Sequence, residues 1–300
     1  MPELPEVEVV RAGLAPALVG ARIIGAEVRD VRALTRHVAG SARPTAEDFE
    51  ARAVGRRVRA AVRRGKFLWF PFDDGDEALG AHLGMSGQML LRLPGAEAER
   101  HERVRLTVRH PEHGEVVALF ADQRTFGSLA IDPLVLTADG AAGGWGDEAP
   151  LVASQAVHIA RDPLDPAFDE VRFRGILARR ASAIKRVLLD QTVASGIGNI
   201  YADEALWAAR IHPEHLSAQL SSRAVGRLLD EVRAVLQKAL AEGGTSFDAQ
   251  YVNVNGQAGR NTLNVYGRQG QPCKRCGTAI VREKFMNRSS HFCPVCQRRR

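Results

Sequence analysis

The sequence predicts an α+β protein: an N-terminal helix and an antiparallel β-sandwich, then a helical half that ends in a small cysteine-bearing tail. Three observations carry this prediction. Short apolar stretches, some with a period of two, recur between residues 21 and 120 with a single helix ahead of them, the pattern of an antiparallel sandwich. Beyond residue 160 the apolar period changes to that of amphipathic helices. All four cysteines lie near the C-terminus in two CxxC pairs.

The elements follow in chain order. Leu4, Val7, Val10, Leu14 and Leu18 repeat at helical spacing, and Val9 widens the stripe. Pro2 and Pro5 are tolerated in a first turn, where a missing N–H would be unpaired anyway. Glu3 and Glu6 suit the positive end of the helix dipole. Residues 21–30 read as a strand, and 56–72 as two strands broken at Gly65. Residues 78–93 supply two apolar stretches around Gly84-Met85-Ser86-Gly87. Residues 104–108 alternate cleanly, 110–114 turn, and 116–120 pair back. The Gly- and Ala-rich stretch 138–150 reads as a linker. Helices are expected over 165–180, 183–191, 199–210 and 223–242. Residues 243–262 are polar, Gly-rich and too long for a passive connector, so they read as a functional loop. The expected domains are therefore 1–137, a linker at 138–150, a helical domain at 151–262, and a tail at 263–300.

Composition narrows the function classes. A chain of 300 residues that is 45% hydrophobic can bury two ordinary cores. Net charge is +6, mostly from arginine, and suits a phosphate-rich partner, although a solvated basic surface would look similar. The acidic N-terminus has no secretory pattern. No apolar run approaches the roughly 20 residues needed to span a bilayer. A cytoplasmic chain without a membrane partner is expected, and nothing in the sequence signals oligomerisation, so a monomer is the default.

Cys273-x2-Cys276 and Cys293-x2-Cys296 are separated by sixteen residues, a spacing that fits a four-cysteine zinc site. Two CxxC knuckles supply four tetrahedral ligands and leave no open position. One structural zinc ion is expected, against the alternative of free or redox thiols. Lys274, Arg275, Lys284, Arg288 and Arg298 surround the cysteines, so the tail suits a phosphate backbone. A zinc ribbon used for protein contacts is the other reading.

Upstream, Gly196-Ile197-Gly198-Asn199 separates two helices. The glycines allow close backbone approach, and the N–H groups opening the second helix make an anion site.

Together these motifs resemble the formamidopyrimidine-DNA glycosylase family, from PELPEVE at residues 2–8 to Cys296. The resemblance implies that the second half is a helix–two-turn–helix domain and the tail a zinc finger. It implies that Pro2, freed by removal of Met1, is the nucleophile, that Glu3 is the acid/base, and that Glu6 helps orient the site. Lys66 falls where the family has a phosphate-binding lysine; without the resemblance it reads equally as a snorkelling surface residue. His82-Leu83-Gly84-Met85-Ser86-Gly87 matches the HLGMSG turn, whose Met85 enters the stack the damaged base has left. Asp122-Gln123-Arg124-Thr125-Phe126-Gly127 resembles the DPRRFG loop, with Arg124 facing the orphaned base and Phe126 wedging between base pairs. Gln123 and Thr125 depart from that pattern. Lys185, Asn199 and Arg288 match phosphate-holding positions, and Tyr251-Val252-Asn253 resembles the loop that closes over a flipped purine.

The implied activity is removal of 8-oxoguanine and formamidopyrimidines from damaged duplex DNA, followed by β- and δ-elimination, with no small-molecule cofactor. The endonuclease VIII branch, which prefers oxidised pyrimidines, usually begins PEGPE; Leu4 argues against it. A non-catalytic zinc-containing DNA-binding protein of the same fold is the alternative from another class.

Overall fold

The computed structural model describes residues 2–40, 42–245 and 252–299. They form two units, one made of Pro2, 6–158 and 252–259, the other of 3–5, 159–245 and 260–299.

The first unit is the expected sandwich. Helix α1 (Leu4–Leu18) is followed by β1 (Arg22–Val28), α2 (Thr45–Ala53), β2 (Val62–Arg64), β3 (Phe67–Pro71), β4 (Glu77–His82) and β5 (Gly87–Arg92). Then come β6 (Glu102–His110), β7 (Gly114–Asp122), β8 (Ser128–Leu136) and β9 (Leu151–Ala153). One sheet has the order β1-β6-β7-β5 and the other β2-β3-β4-β8-β9, with antiparallel pairing throughout. Alternation in β6 sends Val104, Leu106 and Val108 inward, where they join Phe70, Phe120 and Ile131. Val7, Val10, Leu14 and Leu18 enter the same core, so the stripe read from the sequence packs α1 onto the sandwich.

Three expectations about this unit are corrected. Helix α2 was not anticipated: its buried Asp48 holds His37 Nε2 at 3.0 Å and Arg52 Nη1 at 3.2 Å, and it anchors Phe49 in the core. Strand β8 was missed, although it pairs along all of β4, from Glu77↔Pro133 to His82↔Ser128. The proposed linker at 138–150 is built into the first unit. Trp145 and Arg63 exchange backbone hydrogen bonds at 2.8 and 2.9 Å, Thr137 N donates to Pro150 O at 3.0 Å, and β9 then pairs with β8. Glycine allows this because Gly143 and Gly144 lie so close to neighbouring backbone that a Cβ would collide with it.

The second unit holds α3 (Glu170–Arg179), α4 (Ile184–Leu188), α5 (Asn199–Ala209), α6 (Ser222–Ala241) and the hairpin β10 (Val281–Phe285)–β11 (Arg288–Phe292). Asp169 caps α3 by accepting from Arg172 N at 2.8 Å, and Ser221 caps α6 by accepting from Ala224 N at 3.2 Å. Helix α5 is buried along most of its length and packs on α6. The tail is tied to α5 by Glu204, whose carboxylate accepts from the backbone N–H groups of Asn264, Val265 and Tyr266. Of the proposed loop at 243–262, residues 252–259 belong to the first unit, where Val254 O accepts from Leu91 N at 2.9 Å. Tyr251 lies outside the described residues. Among the described residues, no helix is long and apolar enough to cross a membrane.

Candidate functional site

In the first unit, Pro2 is buried and Glu6, in the opening turn of α1, is 7% exposed. Lys66 sits in the tight β2–β3 turn beside Gly65, and at 8% exposure it is not a snorkelling surface lysine. Phe67, the next residue, lies against the imidazole of His82 at 4.9 Å. Burial, with Arg36 and Lys66 adding positive charge, pushes His82 down to about 4. The neutral ring accepts the N–H of Gly84 on Nδ1 at 3.2 Å.

Gly84 opens the turn carrying Met85. Its φ of +62° favours glycine, and a Cβ there would stand 2.5 Å from the Phe126 carbonyl carbon and from Gly127 N. The β4–β5 and β7–β8 turns are therefore in backbone contact. Met85 and Phe126 are 39% and 56% exposed, and the Arg124 guanidinium lies 5.0 Å from the Phe126 ring centroid. Apolar side chains held outward on a rigid base are what insertion into a base stack requires. The structure brings Met85, Arg124 and Phe126 together.

In the second unit, Glu3 meets the glycine turn ahead of α5. Glu3 Oε2 accepts from Gly198 N at 2.8 Å and Tyr201 N at 3.2 Å, and Oε1 accepts from Ile200 N at 2.8 Å. Leu4 N donates to Gly196 O at 3.0 Å. The carboxylate thus takes up free N–H groups at the positive end of α5. A side chain at Gly198 would overlap that carboxylate. The sequence identified this turn as an anion site but did not show that the anion is the chain's own Glu3, because the two residues are far apart in sequence.

Asn199 begins α5, and its Nδ2 donates to Ser289 O at 3.1 Å. Arg288 is exposed at the start of β11. Lys185 departs from expectation. It is fully enclosed, and its Nζ meets Asp203 Oδ1 at 2.6 Å, Ser289 O at 2.9 Å and Ser290 Oγ at 2.9 Å. The ammonium donates two hydrogen bonds to the hairpin and forms an ion pair with Asp203, all within the protein. Lys185 therefore braces the hairpin that carries Arg288. Burial lowers its pKa from the usual lysine range, while Asp203 pulls in the other direction. Asp203, missed in the sequence because it looks like a surface residue of an amphipathic helix, also accepts from His291 N at 2.8 Å.

The four cysteine sulfurs lie within 4.8 Å of one another. A tetrahedral zinc with Zn–S of about 2.3 Å needs sulfurs about 3.8 Å apart, so the set fits one ion. Trp207 Nε1 approaches Cys273 Sγ at 3.4 Å, as does Cys296 N the Cys293 Sγ, the N–H···S contacts that suit metal-bound thiolates. Cys273 and Cys293 are buried with Val265 and Ile280 in a core too small to fold alone. One structural zinc ion completes it.

Comparison with known proteins gives the same picture over the full chain. Residues 1–129 match the family model for the formamidopyrimidine-DNA glycosylase N-terminal domain, and 159–250 that for the formamidopyrimidine-DNA glycosylase H2TH domain. Residues 270–299 match the zinc finger found in FPG and IleRS. The formamidopyrimidine-DNA glycosylase of Leifsonia xyli subsp. xyli (strain CTCB07) is 62% identical over 99% of this chain and 100% of its own length. That of Nocardia farcinica (strain IFM 10152) is 54% identical over 100% of this chain and 99% of its own. The Lactococcus lactis Fpg in complex with abasic-site DNA superposes with a TM-score of 0.80 at 33% identity, covering 99% of this chain and 100% of that one. With the N-terminal motif, the glycine turn and the cysteine cluster all in place, the chain belongs to the formamidopyrimidine-DNA glycosylase family, base-excision-repair enzymes with AP lyase activity.

Proposed function

We propose that the chain excises 8-oxoguanine and formamidopyrimidines from duplex DNA through Pro2, and that the residues described above divide the work. The observation that carries this reading is the anchoring of Glu3. Chain termini ordinarily fray, yet here the residue after Pro2 is tied by three backbone hydrogen bonds to the start of α5. Such a tether holds the neighbouring imino nitrogen in place, as a positioned nucleophile needs.

With Met1 removed, Pro2 carries a free amine, and the reference α-amino pKa of roughly 8 leaves a neutral fraction at pH 7. The Pro2 nitrogen attacks C1′ of the flipped nucleotide, the bond from C1′ to the base breaks, and the base leaves as the sugar ring opens to an iminium. Glu3 relays protons to and from the sugar, and Glu6 orients the site. Loss of a proton from C2′ then expels the 3′ phosphate, and a second elimination expels the 5′ phosphate. Flipping costs a few kcal/mol, offset as Met85, Arg124 and Phe126 occupy the gap. Lys66, Asn199 and Arg288 hold phosphates, and Tyr251 belongs to the loop that closes over the purine. The enzyme acts as a monomer. The Lactococcus lactis enzyme has been solved with Fapy-dG DNA and with DNA containing an oxidised pyrimidine, which favours a lesion range wider than purines alone.

Borohydride trapping on a duplex with a single 8-oxoguanine tests the proposal. An adduct that forms with the free N-terminus and disappears when it is blocked supports Pro2. No adduct, together with tight binding to an abasic-site duplex, would favour the non-catalytic reading.

A further inference from the structure

Two turns carry the residues read as gap-fillers, and one buried carboxylate joins them. Strands β4 and β8 pair to their ends at His82↔Ser128, and β5 and β7 pair to theirs at Gly87↔Asp122. The β4–β5 and β7–β8 turns both cross from one sheet to the other, so they emerge side by side at the same end of the sandwich. Asp122 lies between them and is 1% exposed. Its Oδ1 accepts from Ser86 Oγ of the first turn at 2.5 Å and from Arg124 N of the second at 3.0 Å. Its Oδ2 accepts from Gly127 N at 2.8 Å. Ser86 Oγ in turn accepts from Arg124 N at 3.3 Å. Thr125, between Arg124 and Phe126, has φ of +53°, a left-handed conformation that a β-branched residue adopts only when its surroundings impose it. The bonds on either side of Thr125 impose it here.

We propose that Asp122, acting with Ser86, is the positioning residue of the wedge: it fuses the Met85 turn and the Arg124–Phe126 turn into one rigid piece before DNA arrives. The proposal rests on the reading of Met85, Arg124 and Phe126 as gap-fillers. A loose wedge would have to order its backbone during insertion, and that entropic cost opposes extrusion of the base. Pre-ordering removes the cost from the step in which the lesion leaves the stack.

Three variants and two substrates test this. Asp122→Asn places an amide N–H₂ against one set of donors. Ser86→Ala removes the bridge between the turns but keeps the carboxylate and its two backbone bonds, so it decides the matter if Asp122→Asn does not fold. Phe126→Ala controls for the gap-filling reading. Each variant is assayed for excision of 8-oxoguanine from duplex DNA and for cleavage at a preformed abasic site, where no base has to be extruded. A 2-aminopurine beside the lesion reports unstacking directly. The lock predicts a loss of roughly ten-fold in excision for each folded lock variant, a smaller loss in abasic cleavage, and slower 2-aminopurine unstacking. Phe126→Ala impaired in excision while the folded lock variants keep the wild-type ratio would overturn the lock. Equal loss on both substrates would also overturn it, since that marks a general defect. Phe126→Ala without effect would show that the gap-filling reading itself had failed.

Discussion

Replacing Asp203 by Asn tests the internal role given to Lys185. The substitution keeps the shape of the side chain but removes the negative charge that lies 2.6 Å from a fully enclosed ammonium. Removing one partner of a buried ion pair costs about 3–5 kcal/mol, because the other charge remains without compensation. The whole stability of a domain is about 5–15 kcal/mol, so the loss should be visible as early opening of the segment that Lys185 holds. The pH dependence gives a second check. Burial already places the folded-state pKa of Lys185 below its unfolded value, and loss of Asp203 lowers it further. Between the two values the unfolded chain binds the extra proton, so stability rises with pH. The Asp203→Asn defect should therefore shrink as pH is raised from 7 towards 10. The assay is hydrogen exchange of amides in α4, α5 and the 281–292 hairpin across that range, beside a Lys185→Met/Asp203→Leu double variant that removes both charges. The double variant should lose less than the sum of the single ones. An Asp203→Asn protein within about 0.5 kcal/mol of wild type, with no pH dependence, would refute the argument.

Three further outcomes follow from the geometry. Gly198→Ala should displace the Glu3 carboxylate from its three backbone donors and lower 8-oxoguanine excision by about a hundred-fold, with far less effect on binding to an abasic-site analogue; single-turnover kinetics and a binding isotherm separate the two. Protonating His82 should destabilise the first unit. Its folded value of about 4 lies below the usual 6.5, so stability falls as pH drops from about 6.5 to about 4, by at most about 1.4 kcal/mol per pH unit. Urea midpoints should fall more gently in His82→Asn than in the wild type, the remaining slope coming from other buried histidines such as His37, whose value burial also lowers. Removing zinc with a chelator should unfold the tail, whose apolar core is otherwise too small, and abolish duplex binding through Arg288. Circular dichroism and fluorescence anisotropy would report the two losses, and binding kept after chelation would contradict a structural role for the metal.

The sequence by itself determined the features that depend on neighbours along the chain. The two CxxC pairs set the zinc ligands, because each knuckle is local and only one hairpin has to bring them together. The stripe of Val7, Val10, Leu14 and Leu18 set the buried face of α1, and alternation set the inward face of β6. The order of the motifs pointed to the family.

What the tertiary structure alone decided depends on long-range pairing. The stretch 138–150 has the composition of a linker, yet the backbone groups of Arg63 capture it. Strand β8 was hidden because its Asp132 and Pro133 break the apolar pattern, while the partner β4 supplies the ladder that holds it. Lys185 has the look of a phosphate ligand, and only the fold brings Asp203, Ser289 and Ser290 around its ammonium. Glu3 and Gly198 stand 195 residues apart, and Ser86 and Asp122 stand 36 apart. A carboxylate's partners are chosen by where the fold leaves N–H and O–H groups without a mate, and that is a property of the packed backbone, not of any local run of residues.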